Sequence, residues 1–129
     1  MAGPGGMGDP DAMFEPRFVE HGGRRILRLD YTDLGQAELR AAFDRAAAVI
    51  TAEPRGSLRI LTILRSRFNE ESAEALKRYA RGNRPYVKAS AVIGTSFWKV
   101  VVASLKIAER KDLVLFEDEA AALDWLARQ

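Results

Sequence analysis

The chain has 129 residues, of which 47% are hydrophobic and 29% are charged, and its formal net charge is +2. This composition is typical of one globular domain, and it lacks the dense positive charge of a nucleic-acid-binding protein, so we expect no nucleic-acid partner. Because there is no cysteine and only one histidine, disulfide scaffolds and thiol nucleophiles are excluded, and we expect no metal and no cofactor.

The first segment of the chain is rich in glycine and proline. Residues 1–10 read MAGPGGMGDP and contain no apolar run, which argues against a secretion signal. We expect residues 1–12 to form a disordered tail and residues 13–129 to form the domain. The apolar stretch at 100–103 is far shorter than the roughly 20 residues of a membrane span. We therefore expect a soluble, cytoplasmic protein with no membrane span.

The first ordered elements are predicted to be a hairpin. Residues 18–21 and 24–31 flank a Gly-Gly pair at 22–23, which is typical of a two-residue hairpin connection. In the second segment, successive residues alternate between two faces. Ile26 lies on one face, and Leu27 and every second residue after it lie on the other. This alternation suits a strand near the edge of a sheet.

A helix and a central strand are expected next. Asp33 is the predicted N-cap of a helix over 35–52, whose apolar stripe includes Phe43 and Ile50. The strand at 57–64 is apolar on both faces, which predicts a strand covered on both sides.

The rest of the chain alternates in the same way. Asn69 and Asp118 are predicted helix caps. The expected elements are a helix over 70–80, a strand over 87–94, a helix over 96–110, a strand over 113–116 and a closing helix. The order β-β-α-β-α-β-α-β-α predicts a single α/β domain with a mostly parallel sheet and an antiparallel first strand at its edge.

Three segments of the chain carry a family resemblance: RRILRLDYTDL at 24–34, LRILTILRSRFNEESAEALKRYA at 58–80 and NRPYVKASAVIGTSFWKVVVASL at 83–105. They resemble the SpoIIAA-like branch of the STAS-domain superfamily, within a match from about Phe18 to Leu126. The resemblance implies a βα superhelix that serves regulatory protein contacts or ligand sensing rather than catalysis. The branch has also been likened to CRAL-TRIO lipid carriers, which adds a lipid-like ligand to the possibilities.

One feature of STAS anti-sigma-factor antagonists is missing from this sequence. Their phosphorylatable serine follows an aspartate at the start of the helix after the central strand. Here residues 65–71 read RSRFNEE and contain no Asp-Ser pair. The serine switch therefore does not carry over, and Ser66 and Ser72 are weak substitutes for it.

The loops at the carboxyl ends of parallel strands meet at one sheet edge, where α/β proteins usually bind ligands. Arg65 and Arg67, beside a helix start, are able to hold an anion through their guanidinium groups and the backbone N–H groups. The alternative is that they pair with Asp30, Asp33 or Glu70.

The turn before helix 96–110 is a second candidate anion-binding site at the same edge. Its N–H and hydroxyl groups suit an anion, and the alternative is a plain turn with a helix cap. The predicted ligand-binding residues are Tyr31, Arg65, Arg67, Thr95, Phe97 and Trp98. No catalytic residue is predicted, because no nucleophile is accompanied by a base and Asp33 is explained as a cap.

Helix 96–110 is apolar around much of its circumference, so it is either deeply buried or part of an interface. Phe97, Val101 and Leu105 share one stripe, and Trp98 and Val102 fall beside it. If that stripe is the core face, Trp98 and Val102 face water and cover a two-fold homodimer contact. The alternative is that they belong to the core.

These observations leave two functional hypotheses. The first is a non-enzymatic, STAS-like regulatory module that binds a protein partner or forms a homodimer. The second is a module that binds a small anionic or lipid-like ligand through the loops at the carboxyl ends of the strands.

Overall fold

Strands and helices alternate along the chain in the predicted order. A computed structural model describes residues 14–66, 69–108 and 112–129, except for the side chains at 96–97 and 105–108. The strands are β1 (Arg17–His21), β2 (Arg24–Asp30), β3 (Leu58–Leu64), β4 (Val87–Gly94) and β5 (Leu113–Phe116), and the helices are α1 (Gln36–Thr51), α2 (Glu70–Asn83), α3 (Ser96–Ala108) and α4 (Glu119–Ala127). The prediction of a tail over 1–12 lies outside the described residues.

The five strands form one sheet in the order β1-β2-β3-β4-β5. β1 and β2 are antiparallel, and every other pair is parallel. His21 pairs with Arg24 across Gly22 and Gly23, whose φ angles of 57° and 77° are the positive values that a tight hairpin turn needs. The predicted α/β fold, with its antiparallel edge hairpin, is confirmed.

Helices cover both faces of the sheet. The larger core contains buried residues of α1, α2 and α3, and the smaller core contains those of α4. Leu27 and Leu29 of β2 and Ile60 of β3 lie in the larger core, whereas Ile26 and Leu61 lie in the smaller one. The period-two patterns of these strands therefore predict the two faces correctly, because alternate side chains point to opposite sides of a strand.

Two of the predicted helix caps are confirmed. The Asn69 side chain accepts a hydrogen bond from the Ser72 amide at 2.8 Å, and the Ser72 hydroxyl accepts one from the Asn69 amide at 2.9 Å. The Asp118 side chain accepts one from the Ala121 amide at 2.8 Å. Both caps satisfy N–H groups that have no partner within the helix.

The predicted cap of α1 is wrong. The helix begins at Gln36 and Gly35 is its N-cap, while Asp33 adopts a left-handed conformation with a φ of 59°. The carboxylate of Glu38 accepts a hydrogen bond from the Gly35 amide at 3.1 Å. The Glu38 side chain therefore binds the backbone at the start of the helix, and Asp33 lies in the loop before it.

Helix α3 follows β4 after one residue. Lys99 donates its amide to the Thr95 carbonyl at 3.0 Å, which places Thr95 at the N-cap position. Residues 109 and 110, which the sequence assigns to this helix, lie outside the described residues. Within the described ranges, every helix is too short or too polar to cross a membrane.

Candidate functional site

Three loops meet at the edge of the sheet where the parallel strands end. Hydrogen bonds between their backbones continue the pairing of the strands beyond the sheet. The Tyr31 amide donates to the Ile63 carbonyl at 2.9 Å, and the Thr95 amide donates to the Leu64 carbonyl at 3.2 Å. The Asp33 amide adds a third bond, to the Arg65 carbonyl at 3.3 Å. The loops that follow β2, β3 and β4 are therefore held at this edge as one unit.

A surface hollow of about 340 Å³ lies among these loops, and we call it the edge hollow. It is lined by Asp33, Leu34, Gly35, Arg65, Ser66 and Thr95. Two of the predicted ligand-binding residues, Arg65 and Thr95, are thus brought together. Arg67 and the side chain of Phe97 lie outside the described residues.

Ser66 occupies an unusual position in the wall of the edge hollow. It is 7% exposed, and its hydroxyl oxygen is buried with no hydrogen-bond partner among the described residues. Buried polar groups in proteins nearly always have such a partner, in the protein or in ordered water. The Ser66 hydroxyl is therefore an unused donor and acceptor at the edge hollow.

The backbone of Ser66 is fixed by the indole of Trp98. The Trp98 Nε1–H donates a hydrogen bond of 2.9 Å to the Ser66 carbonyl, and Trp98 is fully buried. Gly94 allows this approach, because a Cβ atom there would lie 3.1 Å from the Trp98 Cβ and 3.4 Å from the Leu64 carbonyl oxygen. A buried contact between α3 and the end of β3 thus positions one wall of the hollow.

Arg65 brings a positive charge to the edge hollow. It is exposed and lies within 4 Å of no described carboxylate, so the alternative that it pairs with Asp30, Asp33 or Glu70 is not found. Its charge is one of the causes that lower the pKa of Glu119, after the larger effect of a hydrogen bond from Arg28. The guanidinium therefore has donors available for a bound molecule.

Two helices start at the edge hollow. Gly35 is the N-cap of α1 and Thr95 is the N-cap of α3, and both line the hollow. The first N–H groups of a helix have no partner within the helix and carry part of its positive dipole charge. Asp33 adds a negative charge to the same lining. The hollow therefore combines donors and positive charge with one carboxylate.

Tyr31 does not line the edge hollow, contrary to the prediction. It is fully buried, its ring stacks on Phe14 at 4.8 Å, and its hydroxyl donates to that of Tyr79 at 3.2 Å. Burial raises the pKa of Tyr31 well above its usual value, so the phenol stays protonated. The reason is the alternation of β2, which directs Tyr31 to the same face as Leu29.

The predicted interface residues are also core residues. Trp98 is 0% exposed and Val102 is 2% exposed, and both lie in the larger core with Val101. The helix is rotated relative to the prediction, so that the stripe of Trp98, Val101 and Val102 faces the sheet. Val100, at 69%, is the most exposed large hydrophobic residue of the described ranges. Trp98 and Val102 therefore provide no exposed patch for a homodimer, and Trp98 supports the edge hollow from behind rather than lining it.

The other acidic residues at this edge have structural partners. Asp30 accepts hydrogen bonds from the Thr32 amide and hydroxyl, and it lies 3.5 Å from Arg28. Glu119 accepts from Arg28 at 2.8 Å, and Asp118 caps α4. No group of three potential metal ligands occurs within the described ranges.

Sequence reasoning missed two features of the edge hollow. The sequence suggests Ser66 only as a substitute for a phosphorylated serine, and Asp33 only as a cap or an ion-pair partner of an arginine. The position of Ser66 in the loop that follows the central strand was the available signal, because such residues lie at the edge of a parallel sheet where ligands usually bind. The lack of a partner for its hydroxyl depends on tertiary packing and has no signal in the sequence.

Comparisons of this chain with protein-family models, with curated proteins and with solved structures find no match.

Proposed function

We propose that the chain is a non-enzymatic module that binds a small ligand in the edge hollow. The observation that carries this proposal is the buried, unpartnered hydroxyl of Ser66 in the wall of the hollow. A buried polar group without a partner costs about 1–3 kcal/mol, and a bound ligand that supplies the partner recovers this cost. The volume of the hollow, about 340 Å³, falls within the range of small-molecule sites.

The position of the single histidine supports binding rather than catalysis. His21 lies at the other edge of the sheet, where it contacts Asp124 at 2.7 Å, so it is remote from the Ser66 hydroxyl. Activation of a serine nucleophile needs a base within hydrogen-bond reach. The resemblance to STAS domains supports a regulatory use of the binding event, in which the ligand is sensed.

The hypothesis of a protein-interaction module loses one of its three arguments. Besides the STAS resemblance and the missing nucleophile, it rested on an apolar face of α3 that a partner or a second copy would cover. Because Trp98 and Val102 are buried within the domain, this surface is already covered by the chain itself. The small-ligand hypothesis is therefore the one that the geometry favours.

The test fills the hollow with a side chain. In Thr95→Tyr, an exposed residue of the lining gains a ring that occupies the hollow. Thr51→Tyr is the matched control, because Thr51 is an exposed residue at the C-terminal end of α1, at the opposite edge of the sheet. Native mass spectrometry follows species that co-purify, and thermal shifts follow a panel of small acids and neutral polar compounds.

We expect the wild-type protein and Thr51→Tyr to carry or bind the same compound, and Thr95→Tyr to lose it. Binding that survives in Thr95→Tyr would place the ligand elsewhere and contradict the proposal. A clean apo mass of the wild type, together with no thermal shift from any compound, would contradict it as well.

A further inference from the structure

We infer that the edge hollow binds the oxyanion group of its ligand, and that Asp33 weakens the binding of a doubly charged oxyanion more than that of a singly charged one. This inference rests on the proposed function and names the chemical class of the ligand. The proposed donors are the Arg65 guanidinium, the Ser66 hydroxyl and the first turn of α3. Asp33 opposes them, and its effect depends on the charge of the oxyanion.

The guanidinium of Arg65 provides the charge. Its position directly after β3 fixes the backbone at the sheet edge, and the Asp33 amide bonded to its carbonyl holds the loop in place. Because no described carboxylate lies within ion-pair distance of it, a ligand does not have to displace an internal partner. A planar guanidinium fits an oxyanion through two parallel hydrogen bonds.

The hydroxyl of Ser66 is an observation independent of the charge. It is more than nine-tenths buried and has no hydrogen-bond partner among the described residues. The carbonyl of the same residue is held by Trp98, so the backbone cannot easily move the hydroxyl to another partner. Rotation about χ1 moves the hydroxyl between staggered positions, and a ligand oxygen in the hollow gives it an acceptor.

The start of α3 adds backbone donors at the same place. This helix has 13 residues, long enough for aligned peptide dipoles, and Thr95 at its N-cap lines the hollow. Anions are stabilised at helix N-termini by the N–H groups and by the dipole together. Arg65, Ser66 and α3 thus offer three kinds of donor from two neighbouring loops.

Asp33 opposes the binding of anions in the edge hollow. It lines the same hollow, and its negative charge repels a bound anion, more strongly when the anion carries two charges. Replacement of Asp33 by asparagine removes this repulsion and should raise the affinity for phosphate more than that for carboxylate.

The experiment titrates the protein with sodium acetate, inorganic phosphate and acetamide, a neutral analogue of acetate, and follows amide chemical shifts by NMR. We expect acetate and phosphate to shift the amides of Ser66 and of the first turn of α3, and acetamide not to do so. We expect Arg65→Gln to weaken acetate binding by about tenfold, the loss of one charge-assisted hydrogen bond. Arg55→Gln, at an exposed arginine of the opposite edge, is the matched control and should bind as the wild type does.

Ser66→Ala separates binding from folding. Because an unpartnered buried hydroxyl costs free energy in the unbound protein, we expect this variant to be at least as stable to heat as the wild type while its acetate affinity falls about threefold or more. Equal binding of acetate and acetamide would overturn the inference. So would wild-type acetate affinity in both Ser66→Ala and Arg65→Gln.

The failures of the inference and of the proposed function are distinguishable. If a neutral compound binds, is lost in Thr95→Tyr and is indifferent to Arg65→Gln, the hollow is a ligand site but not an oxyanion site. If neither the anions nor any compound of the panel binds at the hollow, both proposals fail.

Discussion

The two faces of the sheet are built in different ways. The face under α1, α2 and α3 is thick and aromatic, with Trp98, Tyr31 and Phe43 in one continuous core. The face under α4 is thin, and Ala91 and Ala122 let the helix lie close to the strands. The difference follows from the crossovers, since three successive right-handed β-α-β connections place their helices on one side and only the last helix reaches the other.

The faces also differ in their polar contacts. On the thick face, the bond from Trp98 to the Ser66 carbonyl is buried within the fold. On the thin face, α4 is joined to the sheet by partly exposed polar contacts, such as the ion pair of Arg28 with Glu119 and the hydrogen bond between His21 and Asp124. Buried packing contributes far more to stability than exposed ion pairs do. We therefore expect the thick face to dominate the free energy of unfolding and to support the ligand site.

The largest effect is expected from Trp98→Ala. Removal of a fully buried indole leaves a cavity and an unbonded Ser66 carbonyl, at a cost of about 3–5 kcal/mol in the free energy of unfolding. Urea denaturation measures this cost. Val100→Ala, on the exposed side of the same helix, should change stability by less than about 0.5 kcal/mol. Equal effects of the two substitutions would show that α3 is rotated relative to the structure.

A second test compares the thin face with the thick face. Leu126→Ala deletes a fully buried side chain of α4, and we expect a cost of about 2–3 kcal/mol, near the low end for a buried leucine. The reason is that α4 covers its face alone among the described helices and is able to shift toward the sheet. A loss of stability as large as that of Trp98→Ala, measured in the same urea series, would contradict the contrast between the faces.

The hairpin gives a smaller effect that tests its contact with α4. Gly22→Ala introduces a Cβ atom 2.9 Å from the Ala127 Cβ at a positive φ, whereas Gly23→Ala meets nothing within 4 Å. We expect about 1 kcal/mol of backbone strain in both variants and a further loss in Gly22→Ala alone. The melting temperatures of the two variants measure the difference, and identical values would show that the hairpin is not in close contact with α4.

The smallest effect is a pH dependence at the Arg28–Glu119 pair. The hydrogen bond from Arg28 lowers the pKa of Glu119 below its usual 4.5 in the folded state. The unfolded chain therefore binds the proton first, so the stabilisation is present above about pH 4.5 and is lost as the pH falls through the lower folded pKa. Because the Glu119 side chain is 39% exposed, we expect only about 0.5 kcal/mol. Glu119→Gln should be less stable than the wild type at pH 7 and equal to it near pH 2, as measured by urea midpoints.

Several features of this protein are determined by its sequence alone, because they depend on local patterns. The alternation in β2 and β3 predicts which side chains face each core. Gly22-Gly23 predicts the hairpin, and Asn69 predicts a helix start. The order of the elements then leads to the sheet, since parallel strands joined by helices have few permitted topologies.

The tertiary structure alone decided which side of α3 faces the sheet and which groups lie at the edge hollow. A helix that is apolar on most sides carries little information about its inner face, and in the structure that face includes Trp98 and Val102 together with Val101. Tyr31 is buried because aromatic rings from α1 and α2 surround it. The hydroxyl of Ser66 has no described partner because of what distant segments place around it, and such an absence is a property of the packed fold rather than of any stretch of the sequence.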